Sequence, residues 1–128
     1  MTKPIDKTAI RNAATVIALR DRFTAPKVLM GQRGEKAAFM PNKFVFPGGA
    51  LDSDDFDVPL AEGFHPTCAA RLAEGCPRDI SSALGVAAIR ELWEETGLIL
   101  GAKGPWHGDI PDDWKDFAEA GYLPSARP

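Results

Sequence analysis

The sequence predicts one small α/β domain, on three observations. Residues 13–19 and 43–46 are short runs rich in β-branched or aromatic side chains, and 28–32 follows a hairpin-length connection, the signals of strands. Residues 81–96 then place Val86, Ile89, Leu92 and Trp93 at helical spacing, the pattern of one amphipathic helix. The chain has 128 residues with 45% hydrophobic and 26% charged content, which suits a single globular domain over 1–128 with a moderate core. The net charge of −3 and the scattered Lys and Arg argue against a nucleic-acid polymer as partner. No stretch approaches the roughly 20 apolar residues of a membrane span, so no membrane is expected. The apolar run 13–19 is too short for the core of a signal peptide, and the expected location is cytoplasmic.

Each element has a local reason. Residues 1–10 read as an edge or frayed segment. Residues 13–19, with Thr15, Val16 and Ile17, read as a buried strand. Residues 21–27 contain Pro26 and are of hairpin length, so 28–32 returns as a second strand. Residues 34–43 form a loop that could overhang a ligand. The third strand, 43–46, ends in Pro47-Gly48-Gly49, a tight-turn signal whose glycines permit positive φ or close backbone approach to a ligand. Residues 50–79 open with Asp52, Asp54, Asp55 and Asp57, a run that reads as a solvated loop. A short helix follows at 67–72, stopping at Gly75. Asp79 or Ser81 is expected to cap the long helix. Its interior Gly85 costs up to about 1 kcal/mol against Ala unless close packing requires it. Leu84, Ala87 and Ala88 underlie its other face, and Gly97 ends it. A fourth strand is expected at 98–100, then a last helix from Pro111 to Gly121 with Trp114, Phe117, Ala118 and Tyr122 on one face.

The chemistry concentrates on the long helix. Glu91, Glu94 and Glu95 stand at i, i+3 and i+4, which puts three carboxylates on one face within about a turn. Like charges at that spacing destabilise a helix by about 0.2–0.5 kcal/mol per pair. Only Arg90, four residues before Glu94, can reach one of them. Mg²⁺ uses oxygen ligands, one or two protein carboxylates and the substrate's phosphates, which is what such a cluster offers. The plainer reading is a solvated acidic face. His65, Cys68 and Cys76 fit no common zinc spacing and lack a fourth ligand, so the cysteines read as reduced thiols. His107 reads as a surface loop residue.

Phe46-Pro47-Gly48-Gly49 followed by Arg90-Glu91-Leu92-Trp93-Glu94-Glu95-Thr96-Gly97-Leu98 resembles the signature of the Nudix hydrolases. That box runs Gly, five residues, Glu, seven residues, then Arg-Glu-apolar-x-Glu-Glu-x-Gly-apolar. The helical half matches at every defined position, and the front half at Gly49. Six residues after Gly49 stands Asp55 in place of Glu, and 35 positions separate it from Arg90 where the uninterrupted box has 8. The box thus carries an insertion of 27 residues, within 50–79; counted back from Arg90, the first Glu position falls on Ser82 instead. In the family that Glu chiefly supports the geometry of loop and helix. Interrupted boxes resemble the branch with the peroxisomal coenzyme A diphosphatases. The motif that precedes the box in coenzyme A-cleaving members is kept in spacing from Arg33 to Phe46, but Ala38 replaces its second Arg and Asn42 its Gly.

The resemblance implies an α/β/α sandwich with a mixed sheet, of which this chain holds the N-terminal half. It implies Mg²⁺, or Mn²⁺, at Glu91, Glu94 and Glu95, with Arg90 positioning the carboxylates within the catalytic group. Arg33, Gly48 and Gly49 would contact substrate. The implied activity is metal-dependent hydrolysis of a pyrophosphate bond in a small nucleoside-diphosphate-linked molecule, coenzyme A or an acyl-CoA among the options. Two alternatives stand beside it: a non-catalytic nucleotide-binding scaffold or sensor, and a purely structural domain. Only 31 residues follow Gly97, where the family places about half its strands. The expectation is a truncated longer sequence, or a homo-oligomer in which another chain supplies the missing strands.

Overall fold

The computed structural model describes residues 10–32, 34, 36 and 42–127. Among the described residues eight short strands and three α-helices follow one another. They are β1 (Ala13–Thr15), β2 (Leu19–Arg20), β3 (Lys27–Val28), β4 (Gly31–Gln32), β5 (Phe44–Val45) and β6 (Gly48–Ala50), then α1 (Pro66–Ala73), α2 (Arg78–Thr96), β7 (Gly101–Lys103), α3 (Lys115–Glu119) and β8 (Tyr122–Pro124). Single 3₁₀ turns at Ser53–Asp57 and Asp112–Trp114 complete the order.

Among the described residues the strands pair in twos, all antiparallel: β1 with β6, β2 with β3, β4 with β5 and β7 with β8. The parallel pairings of a mixed sheet are not among them. The hairpin expected around Pro26 is present, with Asp21 at φ 55° and Thr24 N donating to Asp21 O at its tip. The strand expected over 13–19 is split into β1 and β2, and that over 28–32 into β3 and β4. Nor is the first of them buried: Ile17 and Leu19 are exposed, because no described element packs on that face.

Pro47-Gly48-Gly49 also departs from the turn expected of it. Gly48 and Gly49 enter β6, with Gly49 facing Ala14 and Gly48 facing Thr15 across the ladder. Neither has positive φ. The close approach they permit is to the chain's own atoms, where the sequence suggested a ligand. A Cβ on Gly48 would strike Ala14 O, and one on Gly49 would lie 2.5 Å from the Glu91 carboxylate.

Helix α2 organises the rest. Its start lies at Arg78 with Pro77 before it, so Asp79 and Ser81 fall inside the first turn and do not cap it; Ser81 Oγ donates back to Arg78 O. Pro77 occupies the cap position with extended ψ (147°), and no side chain caps the first turn. Gly97 terminates the helix at φ 77°, as expected. Val86, Ile89 and Leu92 are buried, and the core joins Val86 and Ile89 to Val58, Trp114 and Phe117. Burial of each such aliphatic or Phe side chain stabilises by roughly 1.5–3 kcal/mol. Phe117 makes edge contacts with Trp114 (5.0 Å between ring centroids) and Trp93 (5.6 Å). Gly85 has the close packing that justifies it: an added Cβ would lie 2.6 Å from Phe64 Cζ.

The segment after α2 holds a second correction. Residues 98–100 make no strand; pairing begins at Gly101, and Ile99 and Leu100 pack against the core instead. β8 closes onto β7 and is also stitched to the insertion, since Ala61 N donates to Pro124 O (2.8 Å) and Ala126 N to Glu62 O (2.9 Å). The insertion is therefore integral to the packed half. Its helix α1 is capped by His65, whose Nδ1 accepts from Thr67 N, giving that histidine a local structural partner. Cys68 and Cys76 are free thiols.

Candidate active site

The site is built around Arg90. Leu92 and Ile89 turn into the core, which carries Arg90 on the adjoining face toward β6 and the 3₁₀ turn. The guanidinium is buried and uses all five of its N–H donors. Nε donates to Asp55 Oδ1 at 2.9 Å and Nη2 to Asp55 Oδ2 at 3.0 Å, a bidentate fork. Nη2 also donates to Ala50 O at 3.2 Å, and Nη1 to Glu91 Oε1 at 3.0 Å and Glu94 Oε2 at 3.4 Å. One side chain thus ties the strand that leaves Pro-Gly-Gly, the turn after it and two helix carboxylates.

Asp55 is where the sequence reading of the acidic run fails. It is 1% exposed, whereas the run was expected to be a solvated loop. Its Oδ2 also accepts from Asp52 N at 2.8 Å, which closes the 3₁₀ turn on itself. A buried carboxylate is tolerated only when paired and hydrogen-bonded, and Arg90 and the Asp52 amide meet both conditions. Of the two residues that could stand at the first box Glu position, Asp55 makes the contact with Arg90 and the exposed Ser82 does not. The signal was present in its place six residues after Gly49. The shorter side chain and the acidic neighbours obscured it.

The charges are unevenly compensated. The hydrogen bonds it donates to Asp55 hold the Arg90 guanidinium above its ordinary range, with Glu91 adding to the effect. Burial pushes the Glu94 carboxyl up, and although Arg90 draws it down, repulsion from Glu91 and Asp113 adds to the rise. The cluster therefore carries more negative charge than Arg90 can balance. Arg90 reaches two of the three glutamates, where the sequence suggested one.

Glu95 borders a cleft of about 540 Å³. The cleft is lined by Ala13, Ala14 and Thr15 of β1, Gly48–Ala50 of β6, and Met30, Phe44, Val45 and Phe46. Gly48, Gly49 and Glu95 thus share one concavity, and Glu91 touches its floor beneath Gly49. Arg33 lies outside the described residues, as does Ala38. Asn42 is described: it sits at φ 62°, in the left-handed region that glycine favours and asparagine tolerates, so its exchange for Gly keeps the backbone route. Among the described residues, no three His, Cys, Asp or Glu side chains are grouped as a ready-made metal cage. Mg²⁺ does not ask for one, since it is usually held by one or two carboxylates with substrate phosphates completing the shell.

A helix bearing a carboxylate face is thus locked by arginine to a Gly-Gly strand, which brings the two halves of the Nudix-like box together in space. Comparison with known proteins agrees. The chain is 36% identical over 96 residues to a Caenorhabditis elegans protein assigned as nudix hydrolase 7, covering 75% of this chain and 24% of that one. It is 30% identical over 97 residues to the acyl-coenzyme A diphosphatase NUDT19 of Xenopus laevis (58% of this chain, 25% of that one) and 31% identical over 108 residues to that of Gallus gallus (66% and 29%). A crystal structure of a NUDIX hydrolase from Alicyclobacillus acidocaldarius superposes with a TM-score of 0.62 at 26% identity, covering 94% of this chain and 59% of that one. No family model matches the chain. The resemblance read from the box is borne out in sequence and in fold: the chain is similar to Nudix hydrolases in both. It spans about a quarter of the length of the curated relatives it matches. Among the described residues no helix is long and apolar enough to cross a membrane.

Proposed function

We propose that this chain carries the phosphate-cleaving motif of a Mg²⁺- or Mn²⁺-dependent pyrophosphohydrolase acting on a small nucleoside-diphosphate-linked molecule. The observation that carries the reading is the Arg90 knot. It sets Glu91 and Glu94 against the Gly48–Gly49 strand at the edge of the cleft that Glu95 borders. Coenzyme A or an acyl-CoA is the substrate we favour, because two relatives are named acyl-coenzyme A diphosphatases and the spacing from Arg33 to Phe46 is kept. The insertion, 50–79, belongs to the same domain in this reading, and the protein is placed in the cytoplasm.

The donor set fits a hard divalent cation: carboxylate oxygens only, on a face whose negative charge exceeds what Arg90 supplies. Glu95 and Glu94 would hold it, with Glu91 adjacent. Such an ion lowers the pKa of a bound water and neutralises charge on the phosphoryl group in transfer. The chain's own residues supply position. Asp55 and Ala50 O fix the Arg90 guanidinium, which in turn fixes the rotamers of Glu91 and Glu94. The glycines of β6 let the Glu91 carboxylate and the Ala14 carbonyl lie where a Cβ would stand, which keeps Glu91 against the strand.

The test is Mg²⁺-dependent cleavage of coenzyme A, ADP-ribose and a nucleoside triphosphate by the chain and by Glu95→Gln. Turnover should fall by orders of magnitude in the variant while its circular dichroism is unchanged. Equal turnover in the two would sink the assignment. Binding of these compounds with no cleavage would favour the non-catalytic scaffold.

A further inference from the structure

Charge is unevenly divided along the chain. Residues 1–47 hold nine of the fifteen Lys and Arg against three of the eighteen Asp and Glu. Of the described residues in that stretch, Arg11, Arg20, Arg22, Lys27, Lys36 and Lys43 stand against a single acid, Asp21. The β2–β3 hairpin concentrates them, and every residue from Asp21 to Val28 is exposed. Leu19 pairs with Val28 and Arg20 with Lys27, so two aliphatics share one face and two cations the other. Like charges directly opposite one another cost a sheet stability. Arg20 has an exposed 3.6 Å contact to Asp21, and Lys27 has no ion pair among the described residues. The tip adds Phe23, 86% exposed, with the Arg22 guanidinium 4.4 Å above its ring. Beside the hairpin runs a groove of about 390 Å³, lined by Leu19, Val28, Leu29 and Leu98 and by Arg20 and Lys27.

We propose that the β2–β3 hairpin docks the chain on the surface of a membrane bearing anionic phospholipid. Cations alone would suit any polyanion, and an apolar face alone any apolar partner; here both occur on one projecting hairpin. Phosphate headgroups answer Arg20, Arg22 and Lys27, each cation near an anionic surface raising affinity roughly fivefold. The hydrocarbon just beneath the headgroups takes Phe23, Leu19 and Val28 out of water. Nucleic acid would answer the cations and stack on Phe23, but would leave the aliphatic groove exposed. Fifteen of the eighteen acids lie beyond residue 47, and an anionic surface repels them, which turns the hairpin toward the membrane. Surface docking needs no membrane span, so it agrees with the absence of one among the described helices. It is independent of the hydrolase reading.

The experiment is co-sedimentation of the whole chain with vesicles of phosphatidylcholine alone, and of phosphatidylcholine and phosphatidylserine in equal parts. Phe23→Ser and the double variant Arg22→Glu with Lys27→Glu test the hairpin. Arg71→Glu with Lys103→Glu makes the same change of net charge outside it. All these side chains are exposed, so the fold should be spared, which circular dichroism checks. The mixed vesicles should bind the chain roughly tenfold or more tightly than phosphatidylcholine, and added salt should narrow the difference. Each hairpin variant should lose roughly tenfold in affinity for the mixed vesicles, and the control pair far less. No binding to the mixed vesicles, equal binding to both kinds, or binding indifferent to the hairpin variants would overturn the proposal. Hairpin-dependent self-association in sedimentation equilibrium without vesicle binding would overturn it in favour of a second copy. Hairpin-dependent capture of oligo(dT) without vesicle binding would overturn it in favour of nucleic acid.

Discussion

On one side of α2, Val58, Val86, Ile89, Trp114 and Phe117 close over each other; on the other, β2 to β5 leave Leu19, Val28 and Phe44 in solvent. The two regions have similar apolar content in sequence, so the difference lies in partners. The packed region gathers α2, the insertion, α3 and the β7–β8 pair, whose contacts are sealed by backbone hydrogen bonds from Ala61, Ser125 and Ala126. The strand region is joined to it through β1–β6 and the Arg90 knot. Rigidity at the carboxylates therefore comes from the packed region, and the open region supplies the cleft wall.

Substitutions at the junction and in each region sharpen that contrast. The largest stability effect is expected at Asp55→Ala, which leaves the Arg90 guanidinium buried without its bidentate partner. We expect a loss of about 3–5 kcal/mol in urea unfolding, much reduced in the double variant Asp55→Leu with Arg90→Met, which buries no charge. A loss of the same size in the double variant would mean that packing, and not charge pairing, carries the junction. Gly85→Ala comes next. It should destabilise by about 1–3 kcal/mol because its Cβ meets Phe64, although Ala is the better helix former. In a Phe64→Ala background the sign should reverse, and a cycle of thermal melts reads both. Leu19→Ser, in the open region, should move stability by no more than about 0.5 kcal/mol. A larger loss there would show that the strand region is packed in solution.

Much of this was legible in the residues. The carboxylate face, the helix stop at Gly97 and the core stripe of α2 follow from periodicity and end signals that act locally, whereas the helix expected from Pro111 to Gly121 is a 3₁₀ turn at Asp112–Trp114 and a short helix at Lys115–Glu119, with Tyr122 in a strand. What escaped depended on distant partners. Asp55 looks like its solvated neighbours until Arg90, 35 positions on, is folded against it. Strand burial over 13–19 was read from apolar side chains alone, and periodicity does not say whether anything packs on them. Pairing at Gly101 in place of 98–100 is set by β8, whose register no local pattern announces. The glycines of β6 were assigned to a turn because Pro-Gly-Gly is a turn signal, while the reason for them is the Glu91 carboxylate and the Ala14 carbonyl.

The most direct test of the central claim, that a buried aspartate–arginine pair presents a carboxylate face for a divalent cation, is a Mn²⁺ titration. The free-ion signal is followed by electron paramagnetic resonance for the chain and for Glu95→Gln. The expected result is Mn²⁺ bound by the chain and largely released in the variant, with the circular dichroism of the two superimposable. Equal uptake by both, or none by either, would contradict the claim.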